Sequence, residues 1–195
     1  LPDNISLPGD LAIDTEATGL NLNRDRLCVI QVSNGDGNAH LVRFDPGSYE
    51  APVLKKLISN HKVCKIFHYA RFDMAMISKF LGVDLENIYC TKIASKIART
   101  YTDTHGLKDL CRELIGVNIS KQQQCSYWGA AKLSKAQLEY AASDVLYLHD
   151  IRSRLNELLE RESRASLATD CFKFLPIRVK LDILGWNEID IFSYK

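Results

Sequence analysis

The sequence predicts an α/β protein built in layers, and three observations carry the prediction. An opening strand is followed by two β-rich runs with only turns between them, the mark of an antiparallel meander. Beyond residue 50, short strand-like runs alternate with segments of helical spacing, the mark of strands covered by helices. With 195 residues, 46% of them hydrophobic and 25% charged, the chain suits one globular domain with a sizeable core.

The first strand, in residues 11–20, is apolar and ends in two carboxylates, Asp14 and Glu16, and a turn. Residues 27–33 and 39–44 complete the meander across the turn residues 34–38. Pro46 and Gly47 break it, and Val53, Leu54, Leu57 and Ile58 have the spacing of a helix over 51–59. A strand over 62–67 leads to a helix that starts near Ala70 and stops at Gly82, a C-cap residue. Its apolar positions place Asp73 on or beside the buried stripe, where a lone carboxylate is costly unless paired or bound to metal. A short strand over 88–91 and a helix through Ile93, Ile97 and Ala98 follow. The polar break 100–106 offers several N-caps to a helix over 107–115. Residues 121–129 have no clear period and read as a loop or short helix. The longest helix begins with the capping-box pattern Ser134 to Gln137 and runs to about Arg161, its stripe being Leu138, Ala141, Val145, Leu148, Ile151, Leu155 and Leu158. Asp144 edges that stripe, with Tyr140 one turn before it. The remainder, residues 163–195, is too apolar for a loose linker. It is expected to pack on the domain of residues 1–162 or to form a subunit interface.

Composition narrows the function. No apolar run approaches the ~20 residues of a membrane span, and the first residues lack a signal region, so the expectation is a soluble cytoplasmic protein without a membrane partner. The six cysteines are scattered without a C-x-x-C pair, which suits reduced thiols rather than a disulfide frame or a zinc site. A net charge of +1 argues against coating long nucleic acid through a broad basic field.

In a strand, alternate side chains share a face, so Asp14 and Glu16 emerge together and repel unless a cation lies between them. Asp73 and Asp144 add two more acids facing the interior. Four converging carboxylates suit two divalent ions, Mg2+ or Mn2+, ~4 Å apart, the device that carries in-line phosphoryl displacement. Tyr140 would then orient the attacking water, because a phenol of ordinary pKa near 10 is a poor base at neutral pH. Arg99, His105 and Lys108 flank the start of the 107–115 helix, where free N–H groups favour an anion; the same residues also read as caps and solvated charges on a loop.

These clusters resemble the three exonuclease motifs of the DEDD superfamily: Ile13-Asp14-Thr15-Glu16, then Phe67-His68 through Phe72-Asp73, then Tyr140 through Asp144. The tyrosine four residues before the last aspartate is similar to the ribonuclease D group over residues 11–159. Stretches at 90–96, 99–103, 105–108 and 117–124, with Phe174-Leu175-Pro176 and 184–192, resemble its short nano-RNase C branch. The resemblance implies a ribonuclease H-like fold with a mixed five-stranded sheet flanked by helices. It implies a catalytic set of Asp14, Glu16, Asp73, Tyr140 and Asp144, with the four acids as metal ligands. It further implies removal of nucleoside monophosphates from a free 3′ end, RNA of two to a few nucleotides as substrate, and a ring-shaped octamer. The helical domains that follow the catalytic domain in ribonuclease D are not seen, which agrees with short substrates. Thr15, Leu20, His68, Arg99 and His105 are the expected substrate-binding residues. Leu20 would wedge between two bases, the alternative being a core leucine. His68 would touch sugar or phosphate, and the segment from Arg99 to Lys108 would cap a 5′ phosphate. Tyr127 departs from the branch, which usually has aspartate before the tryptophan. Competing readings are a general exonuclease on longer RNA or DNA, a hydrolase of another phosphodiester such as a cyclic dinucleotide, and a non-catalytic RNA-binding module.

Overall fold

The computed structural model describes residues 1–120 and 122–194; Lys121, the first residue of the expected 121–129 loop, and Lys195 lie outside the described residues. Strands β1 (Leu11–Ala17), β2 (Leu27–Ser33), β3 (His40–Arg43), β4 (Lys65–Phe67) and β5 (Ile88–Cys90) form one sheet in the order β3-β2-β1-β4-β5. The meander half is antiparallel, and β1–β4 and β4–β5 are parallel, giving the expected mixed sheet. Parallel pairing needs a crossover between β4 and β5, and helix α2 (Arg71–Leu81) supplies it, ending on Gly82 at φ 67° as its sequence requires. Strand β4 is shorter than expected because Asn60 turns the chain. Its side chain accepts from Lys62 N and its carbonyl from Val63 N, which draws residues 62–63 out of the strand.

Helices α1 (Pro52–Ile58), α3 (Thr91–Ala98) and α4 (Leu107–Ile115) fall where periodicity predicts them. The cap of α4 does not: Gly106 occupies the N-cap without a side-chain bond, and the polar residues before it bond to one another and to Arg99. The single helix expected over 134–161 is two helices, α5 (Lys135–Leu146) and α6 (Leu148–Arg161), broken at Tyr147 (φ −105°, ψ −2°). No proline or glycine causes the break. Helix α5 packs on the meander, whereas α6 packs on α3, α4 and β4, and His149 and Arg152 fasten α6 to Asp10 (3.0 and 2.5 Å). Leu138 is therefore exposed, and Leu159 rather than Leu158 is buried. The capping box from Ser134 to Gln137 forms as predicted.

Helix α7 (Ala165–Leu181) buries Ala168, Phe172, Leu175 and Val179 against α2, α3, β5 and α6. A π-helical turn, Asp182–Trp186, follows, and Gly185 at φ 98° reverses the chain there, a conformation that favours glycine. All six cysteines are free, and Cys28, Cys64, Cys90 and Cys111 are buried. Among the described residues, no helix is long and apolar enough to cross a membrane.

Candidate active site

Strand β1 is paired on both edges, so the acids at its C-terminal end sit on the middle strand of the sheet. A bulge between Glu16 and Ala17 ends the regular register beside Glu16, the kind of irregularity that re-aims a side chain. Helix α5 packs against β1 and presents Tyr140 and Asp144, one turn apart. Carboxylate oxygens of Asp14, Glu16 and Asp144 lie within 4.8 Å of one another. Asp73, buried on α2, lines the same cleft but stands outside that close group, and the Thr15 hydroxyl donates to its Oδ1 at 2.6 Å.

The structure adds a residue that sequence reasoning missed. Gln31 lies directly across from Asp14 in the β1–β2 register and donates to its Oδ2 at 3.2 Å. The only signal was a glutamine inside an otherwise apolar strand, and its use depends on a cross-strand register that sequence does not display.

Burial, and then the charges of Asp73, Asp144 and Glu16, push the Asp14 carboxyl well above its ordinary range. Burial and the same kind of repulsion raise Glu16 to about 9. Asp73 and Asp144 are raised to about 7, again chiefly by burial, with the hydroxyls of Thr15 and Tyr140 opposing the shift. Tyr140 is pushed upward by burial and by the neighbouring acids, so its phenol stays protonated and donates to Asp144. It can position a water and cannot serve as a base at neutral pH.

This arrangement fits a hard cation. All donors are oxygens, and the three carboxylates, gathered within 4.8 Å of one another, offer the hard anionic ligands that such an ion takes. A testable consequence concerns the metal-free protein. Raised carboxylate pKa values mean that the folded state holds protons which the unfolded state has released. The associated stability is present below about pH 4 and is lost as pH rises through about 7 for Asp73 and Asp144 and about 9 for Glu16. The melting temperature in chelator should fall from pH 5 to pH 9, and Mg2+ should restore it at the alkaline end. A flat profile would contradict the cluster.

The acids lie in a cleft of about 1380 Å³, lined also by Tyr140, His68 and Leu20. Leu20 is 82% exposed, which excludes the core alternative. Its loop is organised by Asp25, which accepts from Asn21 N (2.9 Å) and is clasped by Arg24; Gly19 lies so close to Asp25 that a Cβ there would collide with its carboxylate. His68 Nδ1 is 2.9 Å from Thr91 Oγ1, whose own proton goes to the Phe67 carbonyl, so Nδ1 is the donor. Thr15 lines the cleft with its hydroxyl occupied by Asp73.

Arg99 and His105 are not brought to the cleft, which corrects the expected phosphate cap. Arg99 is 1% exposed and donates to Glu113, Ser95 Oγ and the Thr104 carbonyl, while His105 Nδ1 contacts the same Ser95 hydroxyl at 2.8 Å. They lock the 100–106 loop onto α3 and α4. Arg99→Ala should therefore cost about 2–3 kcal/mol of stability in denaturant melts, with KM unchanged in the protein that remains folded. Of the expected segment, Gly106, Leu107 and Lys108 reach the cleft, Lys108 with its charge, and Lys92, Arg24 and Arg71 also stand there. The loop before Trp128 is held by Gln137 Nε2, which donates to Ser126 Oγ and the Tyr127 carbonyl (3.1 and 3.2 Å). Trp128 is buried near Tyr140, ring centroids 6.0 Å apart.

Comparison with known proteins decides the family. A family model described as 3'-5' exonuclease matches residues 4–160. The chain belongs to that family. Within it, Brucella melitensis NrnC is 53% identical with a TM-score of 0.97, covering 100% of this chain and 95% of that one. Structures of NrnC bound to pGG and with bound Mg2+ are 52% and 51% identical. Ribonuclease D of Gluconacetobacter diazotrophicus is 34% identical over 79% of this chain and 39% of its own length. Escherichia coli RNase D is 26% identical, with a TM-score of 0.75, over 88% of this chain and 45% of that one. The chain thus spans about two fifths of the length of the curated ribonuclease D relatives it matches. The chain is of the ribonuclease D group and NrnC-like, with the ribonuclease H-like sheet that the motifs imply.

Proposed function

We propose that the protein hydrolyses short oligoribonucleotides, down to dinucleotides, from the 3′ end to nucleoside 5'-monophosphates, using two divalent ions held by Asp14, Glu16, Asp73 and Asp144. The observation that carries this reading is the convergence of Asp14, Glu16 and Asp144 oxygens within 4.8 Å in a cleft that also holds Asp73, Tyr140 and an exposed Leu20. The Brucella NrnC structure bound to pGG supports the short substrate.

Divalent ions bound to the carboxylates would acidify the attacking water and stabilise the leaving oxygen. The chain does the rest. Tyr140, protonated and bonded to Asp144, holds the water in line. Gln31 fixes the Asp14 carboxylate, and Thr15 fixes that of Asp73. Leu20 packs against a base, and His68 meets the sugar or phosphate. Lys92 and Lys108 supply the positive charge for the substrate's remaining phosphate, in place of Arg99 and His105.

Assembly into an octamer and a cytoplasmic setting belong to the same reading. Exposed Leu184, Trp186 and Phe192 in the 163–195 extension support self-association, and six free cysteines support a reducing compartment. Turnover of 5′-labelled RNA of two to seven nucleotides, with Mg2+, Mn2+ or chelator, tests the function. Metal-dependent cleavage fastest on the dinucleotide is expected. Equal or faster cleavage of longer RNA or DNA would make it a general exonuclease, and no cleavage at any length would overturn the enzymatic reading.

A further inference from the structure

The π-helical turn after α7 is knotted to the catalytic helix by a carboxylate and two guanidinium groups. Asp182 is buried, its side chain 3% exposed, and two arginines converge on it. Arg71 meets it as a two-bond fork, Nε to Oδ2 at 2.5 Å and Nη2 to Oδ1 at 2.7 Å. Arg178 gives two more bonds to Oδ1, at 3.1 and 2.7 Å. Both arginines then reach beyond Asp182 to main-chain carbonyls: Arg71 to Asn187 (2.6 Å), Arg178 to Trp186 (2.6 Å) and Ile189 (3.0 Å).

The location of this knot is what gives it meaning. Arg71 is the first residue of α2, two before Asp73, and it lines the catalytic cleft together with Asp182, Asn187 and Glu188. A segment that needed only to be docked would have no reason to enter that lining. Forked arginine–carboxylate pairing fixes orientation as well as distance, so the backbone of residues 186–189 is set relative to the metal-ligand helix. The side chain it brings to the cleft, Glu188, is anionic and would repel a phosphate beside it.

We propose that Arg71, Asp182 and Arg178 are positioning residues that make the 186–188 segment a wall of the cleft, and that this wall sets the strand length the enzyme admits. A dinucleotide fits within the wall, whereas a longer strand passing it meets the Glu188 carboxylate. The inference rests on the short-substrate reading, so the wild-type length series is the control: if the wild type lacks a short-substrate preference, that reading fails first.

The test is kcat and KM of the full chain on RNA of two and seven nucleotides for wild type, Asp182→Asn and Glu188→Lys. Asp182→Asn removes the charge both arginines share, and Glu188→Lys reverses the wall's charge at an exposed site without touching the knot. Each is expected to lower the dinucleotide-to-heptanucleotide ratio of kcat/KM by about tenfold, through KM more than kcat. If Asp182→Asn does not fold, Glu188→Lys decides alone. An unchanged ratio in Glu188→Lys, with wild type preferring the dinucleotide, overturns the proposal.

Discussion

Asp144→Asn is expected to lower turnover by about 10³-fold or more while leaving the fold intact. The amide has nearly the shape of the carboxylate, so little packing changes. It removes the negative charge from one of the three oxygens gathered within 4.8 Å. Losing a metal ligand forfeits several kcal/mol of charge stabilisation in the transition state, and each ~1.4 kcal/mol is a factor of ten in rate. The same change relieves repulsion among carboxylates whose pKa values are all raised. The metal-free variant should thus melt higher than wild type at pH 8, the reverse of what general damage would do. Activity within tenfold of wild type would refute the carboxylate cluster as the reaction centre. Pairing single-turnover rates with melting curves makes the distinction.

Tyr140→Phe should lose about 10²-fold in kcat with little change in KM, since positioning of the attacking water matters only as the reaction proceeds. The ring keeps its contact with Trp128, so the core beneath the site is preserved. A second readout belongs to Asp144. The Tyr140 hydroxyl opposes the upward shift of the Asp144 carboxyl, and without it that carboxyl should hold its proton to higher pH. In chelator, the fall of melting temperature with rising pH should therefore extend to higher pH. Unchanged kcat and an unmoved melting profile would leave Tyr140 a packing residue.

What the sequence reveals and conceals follows from how local each determinant is. Asp14 and Glu16 share a face by strand alternation, and Tyr140 and Asp144 by a helical turn, so their relations are legible over a few residues. The end of α2 was legible because Gly82 offers the left-handed cap that other residues resist. Gln31 was hidden because its partner is chosen by register between two strands. Arg99 misled because a basic residue near a helix start resembles an anion site, whereas its true partner, Glu113, lies two turns along that helix. The break at Tyr147 carries no local mark at all; it arises because α5 and α6 answer to different neighbours. Arg71, two residues before Asp73, does not share its face, and its partner, Asp182, is far beyond the reach of periodicity.

The break at Tyr147 leaves the reaction centre divided between two elements, a strand and a short helix. Asp14 and Glu16 ride on a strand that pairs with β2 through both positions and with β4 at its start, at Leu11 and Ala12. Asp144 and Tyr140 ride on a single helix that ends two residues past Asp144, and a brief lifting of that helix would carry both away together. The phenol and the last carboxylate of the cluster are thus placed by one element, so a substitution that tilts α5 on the sheet should displace both at once.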